Sequence, residues 1–142
     1  MRDIVSELKM EHANLRNVLE TVRSHGIGTQ AGRDALHAAR KLFVEHIRHE
    51  DDTFYPRFRD LSRNDPTRSE IAEKFAAEMT ELGAKILAFF EKYKDGGSGM
   101  EFAMDFGRMH AVLNSRWHKE EAFLYAKFQE LERVDPKVAK IA

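Results

Sequence analysis

The chain has 142 residues, 23 of them basic and 24 acidic, which gives a formal net charge of -1. This length suits one domain with a sizeable buried core. The balanced charge gives no reason to expect a nucleic acid or an anionic membrane as a partner. There is no cysteine, which excludes disulfides, thiolate metal sites and a cysteine nucleophile. Any metal would therefore be held by histidines and carboxylates.

The N-terminal stretch MRDIVSE, residues 1–7, lacks the apolar core of a signal peptide. No run of the sequence has the length and apolar character that spanning a bilayer requires. We therefore expect a cytoplasmic protein.

Helical periodicity recurs in four segments, and none shows the alternation of a β-strand. The apolar stripe of the first segment ends at His25 and Gly26, as glycine typically terminates a helix. A glycine-rich loop at 26–32 leads into the second segment, which runs to about Asp60. We expect a break in this second helix near Pro56, because proline removes a backbone donor.

The second half of the chain repeats this arrangement. A turn at 64–69 precedes the third helix, whose stripe runs from Ile71 to Tyr93. A glycine-rich loop at 95–99 separates it from the fourth helix, which buries a stripe from Phe102 to about Leu124. Arg116 falls on that apolar stripe, where a charged side chain is unexpected.

The fold class predicted from this pattern is all-α, an antiparallel up-down-up-down four-helix bundle, because short connections place successive helices side by side. We assign residues 1–131 to the bundle and residues 132–142 to a C-terminal tail or short extra helix. The aromatic pair Phe89 and Phe90 is a mild indication of additional buried surface. A homodimer through an outer helix face is therefore one option, and no protein partner is identified.

Three polar residues interrupt the apolar stripes. His46 and Glu50 are four positions apart on the second helix and so lie on one face. His12 occupies the buried stripe of the first helix. An imidazole or a lone carboxylate is costly in an apolar setting, and metal binding explains both, because a cation pairs with the carboxylate and accepts a neutral imidazole nitrogen.

An internal repeat relates the two halves. The sequence EHANL at 11–15 corresponds to EMTEL at 78–82, and HIRHE at 46–50 corresponds to RWHKE at 116–120. Two related helical hairpins arranged about a pseudo-twofold axis would bring these positions to the middle of one bundle, where histidine and carboxylate sites are commonly built.

With these motifs the chain resembles the hemerythrin-like family, also called the HHE cation-binding domain, over nearly its full length. The resemblance implies a four-helix bundle with a non-haem di-iron centre that binds or senses oxygen, nitric oxide, peroxide or iron. The metal ligands that it implies and that this sequence retains are His12, His46, Glu50 and Glu120. The other two histidines of the family fall on Met79 and Arg116.

These two replacements predict a reduced centre. A thioether is a weak, soft ligand and a guanidinium stays protonated, so neither holds a second iron well. We expect at most one metal ion, and we hypothesise that Arg116 replaces the second cation by bridging Glu50 and Glu120. His49 and His110 are candidate hydrogen-bond partners of the ligands.

Two functions follow. The first is a metal-binding protein with one non-haem iron, or else zinc, that binds or senses a diatomic gas, peroxide, redox state or metal. The second is a metal-free bundle that acts as an interaction or regulatory module, in which His12 and His46 are hydrogen-bonded core residues and Arg116 neutralises the carboxylates. The sequence offers no convincing nucleophile and base pair, so a binding protein is favoured over an enzyme.

Overall fold

The computed structural model describes residues 3–97 and 99–134, and all regular structure within these ranges is helical. Its α-helices are α1 Ile4–His25, α2 Gln30–His49, α3 Tyr55–Leu61, α4 Pro66–Lys92, α5 Gly99–Lys119 and α6 Tyr125–Val134. One π-helical turn joins α2 to α3 and another joins α5 to α6, so the helices form four long rods. The predicted four-helix fold is confirmed.

The first hairpin is defined by its caps. Asp3 caps α1 by accepting a hydrogen bond from the amide of Ser6 at 2.8 Å. Gly26 ends α1 with a φ of +70°, a conformation that suits glycine. At Gly32 an added Cβ would lie 1.6 Å from the Gly26 carbonyl oxygen, so only glycine permits this close approach. These contacts set α1 and α2 side by side.

The expected helix break near Pro56 takes another form. The backbone stays helical through this region, and the irregularity is a π-helical turn at Glu50–Phe54, just before the proline. A second π-helical turn occurs at Glu120–Leu124, where the residue corresponding to Pro56 is Ala126. Proline is therefore not required for the turn, and the two halves share it as a structural feature.

The C-terminal end of the described chain is helical, and the division into a bundle and a tail stays a prediction. Helix α6 continues to Val134, three residues past the expected boundary at Leu131. Residues 135–142, the rest of the predicted tail, lie outside the described residues. No helix in the described part of the chain has the length and apolar character needed to cross a membrane.

The core consists of two apolar clusters. The larger includes Leu15, Phe43, Met79, Leu113 and Trp117. The smaller includes Leu8, Phe54, Ala72, Leu124 and Phe128. Buried polar residues occur in α1, in α2 with its π-helical turn and in α5 with its π-helical turn. Along each of these segments they lie between residues of the larger cluster and residues of the smaller one. A polar layer therefore separates the two clusters and is sealed by apolar packing on both sides.

Replacing Leu19 by alanine tests this packing. Leu19 is fully buried in the larger cluster, and we expect the change to lower the free energy of unfolding by about 2–5 kcal/mol through lost apolar contact and a cavity. Leu87→Ala is the matched control: Leu87 is 38% exposed, and its loss should cost less than about 1 kcal/mol. Urea denaturation with a metal chelator present measures both. Equal losses would contradict this description of the core.

Candidate metal centre

The structure brings together the four polar residues that the sequence singled out. His12, His46, Glu50 and Glu120 are each at most 1% exposed. The Nε2 atom of His12 lies 3.1 Å from Nε2 of His46 and 3.0 Å from Oε1 of Glu120. The Nε2 atom of His46 lies 3.3 Å from Oε1 of Glu50. Ligands about 2.0–2.2 Å from one ion lie about 3 to 3.5 Å apart. Ligand atoms of His12, His46 and Glu120 all lie within 4.8 Å of one another, so these three residues could hold a metal ion, and Glu50 adjoins them through His46.

The other ring nitrogens fix the orientation of both histidines. Nδ1 of His12 lies 2.6 Å from Oε2 of Glu121, and Nδ1 of His46 lies 2.7 Å from Oε1 of Glu11. Because a carboxylate only accepts hydrogen bonds, these contacts place a proton on each Nδ1. In the neutral rings both Nε2 atoms then present lone pairs to the centre of the cluster. This is the arrangement in which protein histidines bind metals.

The centre of the cluster has more acceptors than donors. The Tyr125 hydroxyl lies 3.1 Å from Oε2 of Glu50, 3.3 Å from Nε2 of His12 and 3.4 Å from Oε1 of Glu120. It carries one proton for three possible acceptors. Oε1 of Glu50 is buried and accepts no hydrogen bond within the part of the chain that the structure describes. An unpaired buried carboxylate oxygen is costly, so the cluster favours an added cation.

The pKa values of the buried groups also indicate that the cluster attracts positive charge. Burial alone would lower the pKa of His46, but the charge of Glu50 and the hydrogen bond with Glu11 outweigh it and raise the pKa to about 10. Burial and the charge of Glu120 raise the pKa of Glu50. Burial also acts to raise the pKa of Glu120, yet its hydrogen bond with His12 and the charge of Arg116 lower it overall. A proton on the cluster thus supplies positive charge when no metal does.

Arg116 pairs with the buried Glu120 and, at 3.8 Å, with the exposed Glu78, but not with Glu50. Its Nε donates to Oε2 of Glu120 at 3.0 Å, and its Nη2 donates to the Phe75 carbonyl at 2.8 Å and to the Tyr55 hydroxyl at 3.3 Å. Glu50 instead accepts a hydrogen bond from the Tyr125 hydroxyl at 3.1 Å. The predicted bridge to Glu50 is therefore wrong, because the guanidinium is held toward α4 by the Phe75 carbonyl.

Aromatic rings hold the histidine of α1 in place. The His12 ring lies between those of Trp117 and Tyr125, with centroid distances of 5.3 and 5.8 Å and interplanar angles of 25° and 18°. The guanidinium of Arg16 lies over the Trp117 ring at 5.2 Å. This stack restricts rotation of the imidazole and so preserves the direction of Nε2.

The remaining sequence candidates lie around the cluster or away from it. His49 contacts Oε2 of Glu11 through Nδ1 at 2.7 Å, so Glu11 joins it to His46. His110 stacks on Phe106 at 5.5 Å, outside the cluster. Met79 is buried within the larger apolar cluster.

Sequence reasoning missed four residues around the centre. Glu11 and Glu121 orient the histidines, and the hydroxyls of Tyr55 and Tyr125 enter the polar layer. Glu121 is 29% exposed and directly follows the inward-facing Glu120, so helical periodicity places it off the inward face. Glu11, which directly precedes His12 in the sequence, was the one available signal for such a role, because a carboxylate near a buried histidine is a natural hydrogen-bond partner.

A bundle with a buried cluster of histidines and carboxylates defines a class of helical proteins that bind cations. The family model described as Hemerythrin HHE cation binding domain matches residues 3–128. The chain therefore belongs to the hemerythrin HHE cation-binding family, as the motifs predicted. No similar protein was found among the curated proteins or among the solved structures.

Replacing Arg116 by methionine tests the charge pairing in this layer. Arg116 is 7% exposed, and its loss leaves the buried Glu120 without its cationic partner, so we expect a loss of about 3–5 kcal/mol of stability in chelator-treated protein. The matched control is Arg108→Met, because Arg108 is 70% exposed and pairs only at the surface. It should cost less than about 1 kcal/mol in the same denaturation experiment. An equally mild effect at Arg116 would refute the pairing.

Proposed function

We propose that the protein binds a single non-haem iron ion between His12, His46, Glu50 and Glu120. The observation that carries this proposal is the inward pair of Nε2 atoms 3.1 Å apart, each on a ring whose Nδ1 contacts a carboxylate. Two neutral imidazoles facing each other in this way repel unless a proton or a metal lies between them. Membership of a cation-binding family supports the metal.

A limit of one ion follows from the second half of the repeat. Arg116 occupies the position that corresponds to His46 and is paired with Glu120 at 3.0 Å. Its charge takes the place of a second metal ion, and a guanidinium cannot act as a ligand. Met79 occupies the position that corresponds to His12 and packs among apolar residues.

The donor set supports iron. Two imidazoles with a carboxylate and open positions are typical of non-haem iron(II) sites, although zinc accepts similar ligands. When bound, such an ion supplies redox and Lewis-acid chemistry to a small ligand. A groove of about 450 Å³ between α2 and α4 has apolar residues such as Phe43 and Met79 and charged residues such as Arg48 and Asp51 in its wall, and none of the four proposed ligands lines it. We propose that the ion binds or senses oxygen, nitric oxide or peroxide, as membership of the cation-binding family suggests.

The competing function is a metal-free regulatory bundle. It is favoured by Arg116, which already supplies one positive charge beside the buried Glu120. The two functions differ in metal content, which is measurable without knowledge of the physiological ligand.

Elemental analysis of protein purified without chelator tests the proposal. We expect about one iron per chain. His46→Ala should abolish binding, because it removes a ligand at the centre, whereas His37→Ala should retain it, because His37 is exposed and contacts the Lys94 carbonyl. A chain that stays metal-free even after incubation with iron(II) or zinc would leave the regulatory bundle as the function.

Restoring the histidines of the second half tests the limit of one ion. The double variant Met79→His with Arg116→His supplies two imidazoles and removes the guanidinium, so we expect the iron content to rise from about one to about two per chain. Met79→Leu with Arg116→Met is the control that removes the charge without adding ligands, and it should stay at one. A histidine variant that also stays at one would show that the halves are not equivalent as aligned.

A further inference from the structure

The hydroxyl of Tyr125 lies among the proposed ligand atoms. It is 3.3 Å from Nε2 of His12, 3.1 Å from Oε2 of Glu50 and 3.4 Å from Oε1 of Glu120. These separations match those among the histidine and carboxylate ligand atoms themselves. The ring is fully buried against Phe54, with centroids 5.3 Å apart, so packing fixes where the hydroxyl points. Its oxygen therefore lies within 3.4 Å of three atoms that we propose as ligands.

The π-helical turn explains how this side chain reaches the centre. In a regular α-helix, residues five apart lie on different faces. Here the amide of Tyr125 donates to the Glu120 carbonyl, so residues five apart are brought into register. The same turn relates Tyr55 to Glu50. Each turn therefore delivers a glutamate and a tyrosine to the polar layer together.

The two tyrosines enter different halves of the layer. Tyr125 reaches across to His12 and Glu50, where the histidines are retained. Tyr55 reaches across to Arg116, where the guanidinium has replaced a histidine. The phenol groups are thus related by the repeat, but only one of them faces the proposed metal position.

The geometry points to Tyr125 as a further ligand of the ion, bound through its phenolic oxygen; this inference rests on the proposed metal site. Phenolate oxygen is an established ligand of iron in proteins. A ferric ion leaves the buried layer with excess positive charge, and a phenolate removes one unit of it. The O–H bond breaks as the oxygen–metal bond forms, and the proton passes to solvent, as it does when other protic ligands bind metals.

The test uses the full chain, stripped with a chelator, loaded with iron(II) without oxygen and then oxidised in air. Iron per chain is measured first, followed by the visible absorption and resonance Raman spectra. We expect about one iron and a phenolate-to-iron(III) charge-transfer band. Tyr125→Phe should lose the band and keep the iron. Tyr55→Phe is the matched control and should keep both, because Tyr55 contacts Arg116.

Each outcome distinguishes this inference from the proposed function. One iron without the band, or a band that survives Tyr125→Phe, overturns the tyrosine ligand and leaves the metal site intact. No iron in the unaltered chain overturns both. Should Tyr125→Phe fail to fold, ring-deuterated tyrosine in the unaltered chain provides a second measurement. Enhanced Raman bands that shift with deuteration support a phenolate ligand, and their absence refutes it.

Discussion

The pairing of two buried imidazoles with carboxylates at their outer nitrogens governs the centre of this bundle. Glu121 and Glu11 hold the Nδ1 atoms of His12 and His46, so that both Nε2 atoms turn inward and lie 3.1 Å apart. A layer built in this way is unfavourable without added positive charge, because buried acceptors then face one another. The two apolar clusters pack against this layer on either side. The demand for positive charge, from a proton or from a cation, is thus a consequence of packing.

The two related hairpins differ at the positions of the histidines. Arg116 carries positive charge at the position that corresponds to His46, and it is held there by hydrogen bonds to Glu120 and to the Phe75 carbonyl. A guanidinium tolerates burial when its donors are satisfied in this manner. The second half thereby stabilises Glu120 permanently, while the first half retains open acceptors. This asymmetry separates a fixed internal ion pair from the position at which we propose a metal ion.

Each π-helical turn brings a tyrosine hydroxyl into the polar layer. By bringing residues five apart into register, the two turns place Tyr125 and Tyr55 in the layer beside the glutamates that precede them. The Tyr125 hydroxyl contacts His12, whereas the Tyr55 hydroxyl accepts a hydrogen bond from the Arg116 guanidinium. The same π-helical turn therefore places Tyr125 and Tyr55 in different surroundings, because the residue that each hydroxyl contacts across the bundle differs.

The four helices, the family and the inward faces of His12, His46, Glu50 and Glu120 follow from the sequence alone, because helical periodicity and motif spacing are local properties. The same periodicity put Arg116 in the core. That Arg116 donates to Glu120 and not to Glu50 follows from the packing of the helices, since that choice depends on the Phe75 carbonyl of α4. The packing likewise decided the roles of Glu121 and Tyr125. An α-helical projection misplaces residues at and beyond a π-helical turn, and the hydrogen-bond partner of a buried group comes from whichever helix packs against it.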